Sequence, residues 1–318
     1  MAASFLHQHK DFEALLRIVG RDGEIDPFLV EKDYWIMHVL YGLQQNGMAF
    51  ELKGGTSLSK GFGIIDRFSE DIDILIHPPA EQRVKENPKN TKEGAVRSRR
   101  DFYDWLAANM RIDGIVRVER DPEFDDNDYF RSGGIRLYYT SYTTLLAGVK
   151  EGILLEVGFD DTSPNQQVTI SSWAYDKAVT TSGIELIDNR ATNVICYNFE
   201  YTFVEKLQTI ATKFRREQEG ADKNPNFMRQ YYDVYCLLNR KEVQDFIGTD
   251  AYQQHKAKRF PAADRNIPVS QNQAFLLDDP AIRDDYRQRY ERTATIYYRG
   301  QPPFDELLAR IKNYVNRL

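Results

Sequence analysis

The chain contains few cysteines and lacks long apolar runs. Of its 318 residues, 2 are cysteine, Cys196 and Cys236. That number is too small for a disulfide framework and suits a reducing compartment. No apolar stretch approaches the roughly 18 residues that a membrane-spanning helix needs. The start of the sequence also lacks the basic and apolar segments of a secretory signal. The sequence therefore predicts a cytoplasmic protein with no membrane segment.

Positively charged residues are fewer than negatively charged ones. There are 42 lysines and arginines against 48 aspartates and glutamates, which gives a net charge of −6. This balance disfavours nucleic-acid binding over the whole surface, although basic clusters occur at 97–100, 206–216 and 256–259. Apolar residues make up 42% of the chain, and 19 tyrosines and 18 phenylalanines are present. The composition allows one large domain or two, with an interior rich in aromatic side chains.

A glycine pair near residue 54 organises the chain. Apolar residues at 49, 50 and 52 predict a strand that leads into Gly54–Gly55. Two glycines permit a positive φ and a close approach of the backbone to a ligand. Thr56 or Ser57 could cap the helix that follows, whose free N–H groups would face an anion such as a triphosphate. The apolar face of this helix is expected to consist of Leu58, Phe62 and Ile65.

Two carboxylates share one face of the next predicted strand. Acidic and apolar residues alternate from residue 71, so Asp71 and Asp73 point to one side while Ile72 and Ile74 point into a core. Two carboxylates opposite a phosphate-binding turn can hold divalent metal ions against a triphosphate. An Asp-X-Asp sequence alone is more often a solvated strand end. The glycine turn upstream makes metal binding the favoured interpretation.

The combination of Gly54-Gly55-Thr56 with Asp71-Ile72-Asp73-Ile74 resembles the motif of the nucleotidyltransferase superfamily that includes DNA polymerase beta. The 14-residue spacer between Thr56 and Asp71 is a little longer than is usual there. Its sequence is similar to that of one branch, the AbiEii/AbiGii toxins of bacterial toxin–antitoxin and phage-abortive systems. The resemblance covers about 28–311 and is most specific in 53–74 and 203–238.

This resemblance implies a third carboxylate on a strand beside the Asp-X-Asp strand. Glu156 matches by position, in a predicted strand over 150–158, and Asp160 is the alternative. Such a carboxylate would complete the oxygen shell of a second metal ion or act as a base on the attacking hydroxyl. A strand-end acid that faces solvent is the other interpretation. The sequence leaves the choice open.

The C-terminal part is predicted to be helical. From the residues alone, Lys206 in a helix over 200–216 favours a surface position, and Asp233 in a helix over 227–238 favours a partly buried ion pair. These two helices resemble the third and fourth motifs of the toxin family. The resemblance implies that Lys206 contacts the nucleotide phosphates and that Asp233 serves catalysis or the architecture of the site.

Two further polar segments each allow two interpretations. The segment 30–35, which contains Lys32, resembles one that the toxin family carries before its glycine motif, and a polar helix face with paired charges is the alternative. Arg97, Arg99 and Arg100 open a predicted helix over 97–110. Positive charge there opposes the helix dipole, so a phosphate ligand or a solvated face would explain them.

The expected fold is α/β, with a mixed β-sheet nucleotidyltransferase core and a mostly helical C-terminal domain. We place the core domain at 1–198, including its N-terminal helices, and the helical domain at 199–318. Additional helices are predicted over 5–18, 28–45 and 302–311, and additional strands over 112–120, 130–140, 167–173 and 193–198.

The predicted activity is metal-dependent nucleotidyl transfer. Asp71, Asp73 and Glu156 would hold Mg²⁺ or Mn²⁺, and Asp71, Asp73, Lys206 and Asp233 are the candidate catalytic residues. The candidate contacts to the nucleoside triphosphate are Lys53, Gly54, Gly55, Thr56, Ser57, Arg67 and Lys206.

The resemblance implies a toxin that adds nucleotides to an RNA, such as a tRNA 3′ end, and that a cognate antitoxin protein restrains. Two other functions stay open. One is nucleotide transfer to a small molecule or a protein. The other is a non-catalytic nucleotide-binding regulator, against which the intact pair of Asp71 and Asp73 argues.

Overall fold

A computed structural model describes residues 3–180 and 185–318. It divides into two compact units. The first unit comprises the chain up to Phe62 together with Ser69–Tyr197, and the second comprises Gly63–Phe68 together with Asn198–Leu318. The short segment 63–68, which the sequence assigned to the core domain, thus lies in the second unit. None of the helices in the described ranges has an apolar stretch long enough to span a lipid bilayer.

One mixed sheet dominates the described part of the first unit. Its strands are β1 (Ala49–Lys53), β2 (Asp71–His77), β3 (Ile115–Arg120), β4 (Ser132–Tyr139), β5 (Ile153–Gly158), β6 (Asn165–Ile170) and β7 (Ala191–Tyr197). The strand order is β3-β4-β5-β2-β1-β7-β6. Strand β2 lies parallel to β5 and antiparallel to β1. The predicted mixed sheet is confirmed.

The described helices of the first unit lie before and between the strands along the chain. They are α1 (Phe12–Gly23), α2 (Pro27–Gln45), α3 (Gly54–Thr56), α4 (Glu93–Asn109) and α5 (Trp173–Val179). The predicted helix over 28–45 is confirmed as α2, whose side chains are buried along most of its length. Helix α5 was not predicted. The Ser172 hydroxyl begins it by accepting a hydrogen bond from Tyr175 N.

The prediction of a helix over 5–18 is wrong in its boundaries. Residues Leu6–Gln8 form a 3₁₀ turn, and α1 begins at Phe12. The His7 ring and the Gln8 amide both bond to the Asp113 carboxylate, each at 2.8 Å. These long-range bonds fix the segment in a turn instead of a helix. Local periodicity cannot reveal them, because their partner lies more than one hundred residues away.

The helix predicted after the glycine pair is also much shorter than expected. It consists of α3 and a π-helical turn, Ser57–Gly61. The amide of Phe62 donates to Ser57 O and closes that turn at 3.0 Å. Gly63 then leaves it with a φ of +59°. Ile65, expected on this helix, is instead buried in the second unit.

The second unit is helical, as predicted. Its helices are α6 (Phe199–Gln218), α7 (Arg229–Leu238), α8 (Lys241–Phe246), α9 (Asp250–Arg259), α10 (Ala262–Arg265), α11 (Gln273–Leu276), α12 (Pro280–Glu291) and α13 (Phe304–Lys312). The segment 63–68 joins this unit through a bridge between Arg67 and Tyr297 and a 2.7 Å bond from Phe68 N to Ile296 O.

Candidate active site

The first cluster of functional side chains lies on one face of β2. Ile72 and Ile74 are fully buried, while Asp71 and Asp73 point to the opposite face. This confirms the predicted alternation. In the strand register, Asp73 lies opposite Lys53 of β1 and opposite Glu156 of β5. Residues paired across neighbouring strands share a face of the sheet.

This register places Glu156 beside Asp73. Asp160, the alternative third carboxylate, lies beyond the end of β5, and its Oδ2 is 3.4 Å from Lys53 Nζ. Sequence alone could not choose between them, because the choice depends on how β5 aligns with β2. The structure brings together Asp71, Asp73 and Glu156 and leaves Asp160 with a lysine.

The glycine turn lies directly against the Asp-X-Asp strand. Gly54 has a φ of +73°, and a Cβ atom on it would be 2.1 Å from Asp73 Oδ2. Thr56 Oγ1 donates to Asp71 O at 2.5 Å, and Ser57 Oγ donates to Gly54 O at 2.9 Å. Neither hydroxyl caps a helix, so that prediction is wrong. The Thr56 bond ties the glycine turn to the first residue of β2.

Negative charge is crowded at this site. Burial, with Glu70 and Asp73 nearby, raises the pKa of Asp71 to about 7. Burial, together with the charges of Asp73 and Asp71, raises the pKa of Glu156 to about 8. Asp71 Oδ1 is buried and has no hydrogen-bond partner among the residues that the structure describes. An orphaned buried oxygen among crowded carboxylates fits a divalent cation, because a cation would satisfy the oxygen and offset the repulsion.

A buried lysine supports this cluster from α2. Glu31, Lys32 and Asp33 are each no more than 1% exposed. Lys32 Nζ donates to Lys150 O and is 3.7 Å from Glu70 Oε2. Burial lowers the pKa of Lys32 to about 8. Lys32 thus lies beside Glu70, the residue that precedes Asp71. The sequence alone did not decide between a place near this site and a place on a polar helix face.

The two acids that flank Lys32 hold other segments. The Glu31 carboxylate accepts hydrogen bonds from the loop 141–143, including a 2.9 Å bond from its backbone. Asp33 accepts a 2.9 Å bond from Trp173 N and is 2.6 Å from Lys60 Nζ, in the turn that follows the glycine pair. The segment is therefore a paired polar helix face, as one interpretation held, but it is buried and not solvated.

The second predicted cluster lies within the second unit. Asp233 is fully buried. Arg67 donates to it from Nε and Nη2, each at 2.7 Å, and Lys206 Nζ is 3.0 Å from Oδ2. Although burial alone would raise it, these two cations hold the pKa of Asp233 below its usual value. The Arg67 guanidinium thus has a protein partner where the sequence anticipated a phosphate.

Arg99 has a structural role that the sequence did not predict. Its side chain is fully buried, so neither the solvated face nor the phosphate contact suggested for it is correct. The guanidinium instead donates to five backbone carbonyls and ties two loops together. These carbonyls belong to Lys85, Asn87, Asn90, Tyr129 and Phe130.

The other two basic clusters are partly neutralised inside the fold. Arg215 Nε is 2.7 Å from Asp264 Oδ1, and Arg259 bonds to Glu205. Some of the positive side chains in these two clusters are therefore neutralised by ion pairs within the protein.

A second group of metal-ligating residue types joins the N-terminal turn, α2 and the residues before β3. Ligand atoms of His7, His38 and Asp113 lie within 4.8 Å of one another. All four imidazole nitrogens already have protein partners, which include Tyr34 and Asn189. Burial lowers the pKa of His38 to about 4, so this ring is neutral. The group is a hydrogen-bonded part of the core, and a metal ion would have to displace those bonds.

Comparison with known proteins gives a family. A model of the family described as nucleotidyl transferase AbiEii toxin, type IV toxin–antitoxin system, matches residues 38–310. Among curated proteins, none matches the chain. A solved structure that matches is the crystal structure of an antigenic nucleotidyltransferase-like protein from Paracoccidioides brasiliensis, with 14% identity and a TM-score of 0.37 over 72% of this chain and 87% of that one. With the family model covering most of its length, the chain belongs to the nucleotidyl transferase AbiEii toxin family of type IV toxin–antitoxin systems.

Proposed function

We propose that this nucleotidyltransferase uses Asp71, Asp73 and Glu156 to hold a divalent cation, Mg²⁺ or Mn²⁺, against a nucleoside triphosphate. The observation that carries the proposal is the packing of the Gly54 turn against Asp73, where no Cβ would fit. The turn that would bind phosphate and the carboxylate that would bind the metal ion are thereby adjacent. The orphaned Asp71 Oδ1 supports the same assignment.

Each group then has a defined task. The bound cation would supply positive charge to the triphosphate oxygens. Backbone N–H groups of Gly54–Ser57 would bind the triphosphate, and Lys53 would add a positive charge beside them. The acceptor hydroxyl would attack the α-phosphorus while the bond to the bridging oxygen breaks and pyrophosphate leaves. Glu156 would take the hydroxyl proton through the carboxylate oxygen that does not hold the cation.

The contacts of the second cluster support a role for each of its residues. We propose that Asp233 orients Lys206, whose charge would neutralise the phosphates as pyrophosphate forms. The side chain of Lys206 retains 12% of its exposure beside the fully buried Asp233. Arg67, which is bonded in a fork to the same carboxylate, is assigned to holding Asp233 in place.

The acceptor that we propose is an RNA, such as a tRNA 3′ end, in the cytoplasm. The family's type IV toxin–antitoxin system supports a cognate antitoxin as protein partner. Transfer to a small molecule or a protein is the second candidate. The internal pairing of Arg215 with Asp264 and of Arg259 with Glu205 favours it, because less basic surface is then left for RNA.

The proposal is tested with purified protein, magnesium, each labelled nucleoside triphosphate in turn, and total bacterial RNA. We expect wild type to move label into an RNA band and Asp73→Ala to lose at least about 1,000-fold of that rate, since a lost metal ligand removes several kcal/mol of transition-state stabilisation. The control, Asp128→Ala, changes an exposed acid and should be as active as wild type. Transfer that is insensitive to Asp73→Ala or to EDTA would refute the metal site.

The raised pKa values of Asp71 and Glu156 predict a pH-dependent effect of magnesium on stability. Between their unfolded values of about 4 and their folded values of about 7 and about 8, the folded protein binds more protons than the unfolded one. Without metal, the free energy of unfolding should therefore fall as pH rises through this window. Magnesium competes with those protons, so its stabilising effect should grow over the same window.

Thermal melting at several pH values with magnesium or EDTA measures this effect. We expect the two melting curves to diverge towards alkaline pH, and Asp71→Asn with EDTA to lose part of the pH dependence. A melting temperature in EDTA that rises steadily from about pH 5 to about pH 8 would contradict the prediction.

A further inference from the structure

A cavity of about 420 Å³ adjoins the carboxylate cluster within the first unit. Lys53, Lys89, Arg131 and Asp160 bring charge to its lining. Gly158 lines it as well and lies opposite Leu75 of β2, two residues along the strand from Asp73. From strand spacing, the backbone of this residue is about 8 Å from that of Asp73. The cavity is therefore close enough to hold a group attached to the reacting atoms.

The lining is cationic. Of the three positive side chains, Lys53 is paired with Asp160 at 3.4 Å. Lys89 and Arg131 thus give the cavity a surplus of positive charge, although Arg131 Nε also lies 3.8 Å from Asp126. An arginine fork and a lysine ammonium are the side chains that most often bind phosphate oxygens.

Arg99 holds in place the two segments that carry Lys89 and Arg131. Its buried guanidinium donates to carbonyls of the loop 85–90, which carries Lys89, and to those of residues 129 and 130, which precede Arg131. Arg131 Nε in turn donates to Pro88 O at 3.3 Å and joins the two walls directly. The two cations thus stand on segments that are fixed before any ligand arrives, which lowers the entropy lost on binding.

The sheet order indicates which phosphate belongs here. The glycine turn follows β1, on one side of β2, and Lys53 of β1 borders the cavity from that side. Ser132 and Gly158 lie at the ends of β4 and β5, on the other side. A triphosphate bound to the glycine turn occupies the β1 side. Glu156, the carboxylate placed to take the acceptor's proton, stands on β5.

We propose that this cavity binds a backbone phosphate of an RNA acceptor strand through Lys89 and Arg131 and so positions the terminal hydroxyl beside Glu156. The inference rests on the proposed function, because it takes the carboxylate cluster as the reaction centre. It assigns specificity for the acceptor to two residues outside the glycine turn and outside the Asp-X-Asp strand.

The test compares the double variant Lys89→Ala/Arg131→Ala with wild type in two binding measurements. The probes are a short, fluorescently labelled single-stranded RNA with a free 3′-hydroxyl, and a nucleoside triphosphate with magnesium. We expect RNA affinity to fall at least about tenfold, and the slope of log affinity against log salt to decrease by about 0.7, the value for one lost phosphate contact on a single strand. Nucleotide affinity should change by less than about twofold.

A matched control is Lys85→Ala/Arg97→Ala, which removes two exposed cations outside the cavity lining, one in the loop 85–90 and one on α4. It should bind RNA like wild type. Unchanged RNA binding in the cavity variant, a wild-type protein that does not bind the RNA, or weakened nucleotide binding in place of weakened RNA binding would each overturn the inference.

Binding and transfer separate this inference from the proposed function. Wild type that binds the RNA through Lys89 and Arg131 but transfers no label would refute the function and leave the site. A cavity variant that transfers nucleotide to RNA with an unchanged KM for RNA would refute the site and leave the function.

Discussion

Gly54→Ala is expected to abolish nucleotide transfer and to destabilise the first unit. The backbone at residue 54 has a φ of +73°, which costs a residue with a side chain about 1–2 kcal/mol. The new Cβ would also stand 2.1 Å from Asp73 Oδ2, so the carboxylate or the glycine turn must move. A displacement of about 1 Å in a positioned catalytic group lowers rates about 100-fold or more. We therefore expect transfer to fall by at least about that factor and the free energy of unfolding by about 2–4 kcal/mol.

Gly47→Ala is the matched control for this prediction. Gly47 has a similar φ of +70° and precedes β1 in the same unit, but its added Cβ would have nothing within 4 Å. It should show the backbone penalty alone and retain transfer. The measurements are urea unfolding and the labelled-nucleotide assay. Equal losses in the two variants would mean that the close approach to Asp73 has no consequence for the site.

Asp233→Ala is expected to lower the stability of the second unit by about 3–5 kcal/mol. It would leave the nearly buried Arg67 and Lys206 without the carboxylate that both now contact. Removing one partner of a buried ion pair costs this much because the remaining charge keeps its desolvation penalty. Asp233→Asn keeps the shape and removes the charge, so it should lose most of the same stability.

Urea unfolding followed by far-ultraviolet circular dichroism measures this loss, because the second unit is helical, whereas Trp35, Trp105 and Trp173 all lie in the first unit. The control is Asp285→Ala, which removes a 2.9 Å ion pair with Lys223 and a 3.4 Å ion pair with Arg289. It should cost less than about 1 kcal/mol, because this carboxylate is partly exposed and Arg289 keeps its ion pair with Glu217. A loss no larger in Asp233→Ala than in Asp285→Ala would show that the buried triad does not stabilise the unit.

The local sequence predicted much of the arrangement of the first site. A period of two in 71–76 places Asp71 and Asp73 on one face, because successive side chains of a strand point in opposite directions. The glycine pair predicted a turn with a positive φ, and Gly54 has a positive φ. The long amphipathic helices of the second half were recognisable for the same reason, since their apolar stripes repeat within a few residues.

Local sequence patterns could not predict where helices begin and end, or which distant residues contact each other. The helix after Ser57 ends early because the chain departs to the second unit at Gly63, and the N-terminal turn is fixed by Asp113. Arg99 has the sequence signature of an exposed helix start, yet it is buried by carbonyls from two loops.

The sequence by itself determined that Asp71 and Asp73 share one face of their strand, while Ile72 and Ile74 share the other. Only the tertiary structure decided which side chains meet. The register of β5 on β2 places Glu156, and not Asp160, beside Asp73. Arg67 reaches Asp233 across 166 positions of chain. Direction follows from backbone periodicity, which a few residues define. Contact depends on the pairing of distant segments, which is fixed by the packing of the whole unit.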